Sequence, residues 1–396
     1  MATILALIVA VISAVNGYWV SVASPYVLVA SLLLLALAYI GRLIAYKGVL
    51  RIQNKVMSAA LTLFQKDRRQ GSILYYFFAF ALFSFMLPPQ PWAFYFWIVA
   101  FGIGFDLLIY SIKRAYMYAE MPFLTSMLAK SLEKSVRDGD EKKAYEWLEV
   151  AIDSSAKATK KGQNWLASTA LQSIQTLIET YVQEVARQDV RILTGNPNQR
   201  LSFLDKVNSL CIFVSERLLW LFGVSQEAKS APIAESIISE YGKMSVFFAK
   251  HNPKVATIPL AFLKICSDRA TEPASLTRIA LTLSETTKLL MAYSKEKNES
   301  YRDLIITSLA TLEQVVKMLF RNNREGNVVF LMQPFAEIAE FIGQDDMRAF
   351  PDREEYLREI KRVLNEFQAL QVVSKNVEGV AEDSTASYQQ DMPYMP

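Results

Sequence analysis

Four apolar runs open the chain: Ala2–Val20, Tyr26–Ile44, Ser72–Leu87 and Trp92–Ile112. About 20 residues of helix cross the roughly 30 Å of bilayer hydrocarbon. The first, second and fourth runs meet that length. The third, with 16 residues, reaches only about 24 Å. It therefore predicts either a crossing where the bilayer is thin or a dipping hairpin with the fourth run through Pro88-Pro89-Gln90-Pro91.

From Ala115 onward the apolar period falls near 3.6 residues, and no alternating stretch argues for a strand. Breakers set the expected boundaries. Asp138-Gly139-Asp140 opens a helix to about Ala158 that Lys161-Gly162 closes, and the next runs from Asn164 to about Leu193. The stretch 201–222 is apolar on more than one face and predicts the centre of a domain; helices at about 226–250, 255–268, 274–295, 299–321, 327–342 and 353–374 follow, the last capped by Asp352 after Pro351. The chain is thus expected to be all-α, with a membrane region of four hydrophobic helices in two hairpins, then a large cytoplasmic helical bundle or α-solenoid-like domain. No tetratricopeptide, ankyrin or armadillo period fits these helices.

Five parts follow from this pattern: a transmembrane hairpin over 1–45, a basic amphipathic cytoplasmic helix over 46–70, a second hairpin over 71–112, the helical domain over 113–375, and a polar, disordered tail over 376–396.

Composition sharpens the picture by being uneven. Hydrophobic residues make up 52% of the whole chain, above soluble norms. The first 112 residues hold only two acids, Asp67 and Asp106, and seven bases confined to 42–69. Residues 113–396 carry 35 bases against 37 acids, which removes the electrostatic case for nucleic acid as a partner. The connections at 16–25 and 88–91 are uncharged, so the positive-inside rule places 42–69, the N-terminus and everything after 112 in the cytoplasm. The expected location is multi-pass, in a cell or inner membrane. Tyr18, Trp19, Tyr26, Trp92, Tyr95 and Trp97 fit an outer aromatic belt, and the missing basic n-region argues against a cleaved signal peptide.

Three features of the membrane region are candidates for function. Ala2, Ala6, Ala10 and Ala14 recur every fourth residue, with Ala100 and Gly104 repeating the spacing on the fourth run. Such a row is a seam for close helix packing, within this chain or between copies in a homo-oligomer. Asp106 is the one ionisable residue inside an apolar run, where a carboxylate is expensive; it reads either as a group on an ion pathway or as a structural contact near the inner interface. Over residues 46–66, Val49, Ile52, Val56, Ala60, Leu63 and Phe64 share one helical arc opposite Lys47, Arg51 and Lys55. That arc predicts a helix lying on anionic lipid with the three bases at the headgroups, or else buried against the cytoplasmic domain.

Chemistry is sparse elsewhere. Cys211 and Cys266 lack C-x-x-C spacing and read as buried thiols, and the one histidine, His251, sits at a helix end where it would cap carbonyls. Phosphate-loop, zinc-protease and nucleophile-elbow motifs are missing, so no catalytic, cofactor or metal residue is assigned and no enzyme is expected. Asn298-Glu299-Ser300 matches a glycosylation acceptor on the wrong side of the membrane, and Trp147, Trp165 and Trp220 read as core. The function that fits best is a membrane-tethered scaffold whose helical domain docks a cytoplasmic protein. The alternatives are an oligomeric channel or transporter subunit with Asp106 near the pathway, and a membrane-shaping protein.

Overall fold

The computed structural model describes residues 2–18, 25–55, 63–65, 68–117, 121–192, 199–297, 301–322, 328–344, 347 and 352–369. Expectations for Trp19, Val56, Ala60, Asn298 and the tail 376–396 lie outside the described residues. Among the described residues the chain is helical throughout, with short turns and no strand. The backbone clusters into two compact units, residues 1–185 and 186–396. The sequence boundary at 112 marks where the apolar runs stop; the boundary at 185 follows how the backbone clusters.

In the first unit the helices are α1 (Ala2–Val15), α2 (Pro25–Lys55), α3 (Arg68–Met86), α4 (Pro91–Met117), α5 (Met121–Arg137), α6 (Glu141–Lys160) and the start of α7 (Asn164–Ile192). Two of its helices, over Pro25–Leu50 and Pro91–Arg114, are long and apolar enough to cross a membrane, whereas Ala2–Val15 and Ser72–Met86 are shorter apolar helices. The first run ends early because Gly17, at φ 70°, closes the helix: Tyr18 N–H donates to Ser13 O (2.9 Å) and Gly17 N–H to Ala14 O (3.3 Å). The same device ends α5 at Gly139 (φ 75°) and α6 at Gly162 (φ 69°). Asp140 caps the start of α6, its side chain accepting from Lys143 N–H at 3.1 Å.

The second run departs from expectation in the other direction. α2 continues unbroken to Lys55, 31 residues or about 46 Å. The separate helix expected from residue 46 begins instead as an extension of α2, since nothing between Ile44 and Lys55 breaks a helix and Gly48 costs only about 1 kcal/mol. Val49, Leu63 and Phe64, three members of the apolar arc, are buried by protein.

A core of Leu34, Ala38, Phe77, Phe80, Ala93, Trp97 and Leu108 joins α2, α3 and α4. Trp97, expected in the aromatic belt, is only 9% exposed. Its indole N–H points between Ser31 Oγ (2.9 Å) and Ser84 Oγ (3.2 Å), which lie 2.9 Å apart; Ser84 in turn donates to Phe80 O at 2.8 Å. A buried indole needs an acceptor, and two hydroxyls contributed by neighbouring helices supply it. Trp92, by contrast, is exposed.

The second unit contains α8 (Gln199–Glu227), α9 (Ala231–Ala249), α10 (Pro253–Arg269), α11 (Pro273–Lys297), α12 (Arg302–Asn322), α13 (Val328–Gly343) and α14 (353–369). Its stretch Phe203–Glu227 is a third helix long and apolar enough to cross a membrane. In this fold it is a central element: α9 and α10 pack on it, and Leu210, Val214, Leu218, Leu221 and Phe222 are fully buried. Tyr241 of α9 donates to Ser215 O at 2.6 Å. α9 and α11 approach so closely that a Cβ on Gly242 would stand 2.7 Å from Thr282 Cγ2.

Pro259 lies inside α10 and removes the N–H that would bond Val255 O. The Cys211 thiol of α8 stands 3.8 Å from that carbonyl and donates to it. Cys211→Ala is therefore expected to lower stability more in the wild-type background than in Pro259→Ala, which restores the backbone donor. The coupling in a double-mutant cycle of melting curves should be about 1 kcal/mol; strict additivity would refute the assignment.

Candidate functional site

Asp106 sits on α4 where the N-terminus of α1 comes to rest. Its Oδ1 accepts from Ala2 N–H at 3.0 Å, and its Oδ2 accepts from Thr3 N–H at 3.0 Å and from Thr3 Oγ1–H at 2.7 Å. The first N–H groups of a helix have no partner within it and carry partial positive charge, so a carboxylate supplied by another helix is a cap.

One turn earlier, Gly102 lets α1 approach. A Cβ there would collide with Ala6 Cβ and stand 3.1 Å from Ala2 O and 3.2 Å from Thr3 Cα. At the other end of the pair, Tyr95 Oη donates to Tyr18 O at 3.3 Å, so α1 runs antiparallel along α4, its main neighbour. Ala2, Ala6 and Ala10 face this contact, and Ala10 is buried. Ala14 is exposed, because a four-residue spacing drifts about 40° per step around a helix of 3.6 residues per turn. Gly104 points elsewhere: a Cβ on it would lie 2.9 Å from Leu34 Cδ2 and 3.4 Å from Phe77 Cε1, while Ala100 O accepts from Tyr76 Oη at 2.7 Å. The Ala2–Ala10 seam thus packs within the chain against Gly102, and Ala100 and Gly104 serve the α2–α3–α4 core.

Lys47, on the α2 extension, is exposed; Arg51 and Lys55 follow on the same helix, their side chains outside the described residues. A cleft of about 640 Å³ lies beside α5 and α6, lined by Lys130, Lys134, Asp138, Asp140, Lys143 and Trp147 among others. Trp147 is buried and donates to Ser135 Oγ at 3.3 Å, and Lys143 pairs with Asp140 at 3.6 Å. The lining comes from separate segments, which is why no local motif announced it.

Trp165 and Trp220 are not core, as periodicity suggested: Trp165 is 75% and Trp220 43% exposed. His251 caps no carbonyl with its ring, which stands edge-on to Phe247 at 5.0 Å; burial and the adjacent Lys250 lower its pKa. Burial pushes the Cys266 thiol up to about 12, so it stays protonated at neutral pH. On α12 and α14, Glu313 pairs with Lys317 (2.6 Å) and Arg362 (2.7 Å), and Glu366 closes the ring to both. This is a charged clasp of the kind carboxylates alternating with bases imply.

No family model and no curated protein matches the chain. Among solved structures it is similar to a "Circular tandem repeat protein with novel repeat topology and enhanced subunit contact surfaces", at 12% identity over 90% of this chain and 98% of that one, with a TM-score of 0.32.

Proposed function

We propose that the chain is an integral membrane protein that tethers a helical docking domain, residues 113–375, to the cytoplasmic face of a bilayer, where that domain binds a protein partner. The observation that carries the reading is a contrast in what different helices expose. α1 to α4 turn Leu5, Ile8, Leu33, Phe78, Phe85 and Trp92 outward, a surface suited to lipid. The later helices bury most of their large apolar side chains and leave a few, such as Ile212, Trp220 and Leu289, on the surface. Exposed aromatic and aliphatic residues on an otherwise polar helical surface are the usual anchors of protein contacts. The bases of the α2 extension, on the inner side by the positive-inside rule, set the orientation.

The engagement of Asp106 in capping α1 favours this reading over a channel, since a carboxylate holding three donors is committed to structure. Photo-crosslinking residues placed one at a time in the full chain test the proposal in cells. Adducts with a cytoplasmic protein are expected from positions 220 and 289. Adducts with a second copy alone, through position 5 on α1, would replace the docking reading with an oligomeric pore.

A further inference from the structure

Trp165 is the anomaly from which a second membrane contact follows. An indole 75% exposed is costly to leave in water, and this one stands at the tip of the turn between α6 and α7. Lys157, Lys160 and Lys161 precede it on the last turn of α6 and in the turn itself, all exposed, and no acid occurs between Asp153 and Glu179. An exposed aromatic next to a run of bases is the composition of a contact with the surface of an anionic leaflet.

The level of this turn can be placed from helix register. Arg114, in the last turn of α4, lies 5.6 Å from the Phe123 ring, so α5 begins beside the inner end of the span. α5 leads away from that end and α6 returns: the turn 138–140 joins them, with Asp140 N–H donating to Ser135 O at 2.9 Å and the Trp147 indole reaching back to Ser135 Oγ at 3.3 Å. Both helices rise 1.5 Å per residue. α5 has 17 residues and α6 has 20, so α6 returns the full length of α5 and reaches the level of Met121 in its last turn. The turn therefore comes back to the level at which α5 leaves α4, and Ser155 Oγ donating to Ala167 O at 2.9 Å folds α7 away again behind it.

We propose that the α6–α7 turn is a lipid-contact element, with Trp165 seated in the headgroup layer and Lys157, Lys160 and Lys161 on the phosphates of anionic lipid. This rests on the reading of α2 and α4 as membrane spans. Its occupant is the leaflet that carries the protein, because the register brings the turn to that level and its charge is complementary to it.

The full chain, reconstituted in vesicles of mixed zwitterionic and anionic phospholipid, tests this by fluorescence. The emission lost between wild type and Trp165→Phe isolates this indole. It is expected to be blue-shifted and quenched by lipids brominated near the headgroup. The triple variant Lys157→Glu, Lys160→Glu, Lys161→Glu should lose that quenching. A red, unquenched Trp165 component in protein that floats with the vesicles and resists alkaline extraction overturns this inference while leaving the spans intact. Protein that does not float overturns both. A Trp165 component that shifts only when poly-glutamate is added assigns the turn to an acidic protein and likewise overturns the lipid contact.

Discussion

Gly102→Val is expected to lift α1 from α4. The new Cβ would collide with Ala6 and press on Ala2 O and Thr3 Cα, and two of these neighbours belong to the α1 backbone. Backbone cannot rotate away as a side-chain end can, so the helix as a whole must shift. Overpacking of this kind costs about 1–3 kcal/mol. The consequence reaches further than Gly102 itself. Residues 102 and 106 share one face of α4, so a displacement there also draws Ala2 and Thr3 off the Asp106 carboxylate. α1 has 14 residues and its main seat is α4, which leaves little else to hold it. Cysteines at positions 18 and 95, where Tyr95 reaches Tyr18 O, report the seat through a short bis-maleimide in the full-length protein. The crosslink should form readily in the double-cysteine protein and fall severalfold once Gly102→Val is added. An unchanged yield would mean that α1 tolerates the extra volume and that the close approach is not what seats it.

The parts of this arrangement that could be read from sequence are those written in local chemistry. Gly139, Asp140 and Gly162 bound α6 where expected, because turn and cap preferences act over a few residues. Pro253 and Pro273 are the first residues of α10 and α11, slightly ahead of the starts at about 255 and 274 that the pattern predicts. Continuity was harder to see. The change from apolar to amphipathic pattern near residue 46 resembles a new element, yet composition can change along a helix without interrupting it. α8 likewise runs on to Glu227, past an expected end at 222, because the chain meets no obstacle until Lys229, at φ 52°, and Pro232.

Side-chain placement set by distant partners was illegible. Whether Trp97 lies in a belt or a core depends on Ser31 and Ser84, and Ser31 is 66 residues away. Trp165 has the spacing of a core residue, and only the geometry of the α6–α7 turn carries it into the open. The row of alanines marks the seam in the sequence, but the four-residue spacing singles out Gly104, whereas α1 packs on Gly102. Spacing identifies which residues are small without saying which face of α4 meets α1.

Asp106 separates the two leading functions, and a graded series at this position should do so in one experiment. As a cap, the carboxylate offers two acceptor oxygens to three donors of α1. Asp106→Asn retains one acceptor and turns an amide N–H₂ toward donors it cannot serve; Asp106→Ala retains none. The bis-maleimide yield between positions 18 and 95 is therefore expected to fall from wild type to Asn and further to Ala, with partner adducts from positions 220 and 289 persisting while the rest of the fold stands. The loss should follow acceptor number, since two of the three donors are N–H groups of the first turn of α1, which have no partner within that helix. A conducting carboxylate would behave differently. Asp106→Asn would then leave the α1 crosslink at the wild-type yield and abolish cellular function, because an amide of the same shape cannot carry charge. That pair of results would move Asp106 from the architecture of α1 to an ion pathway, and the docking reading would lose its advantage over the pore.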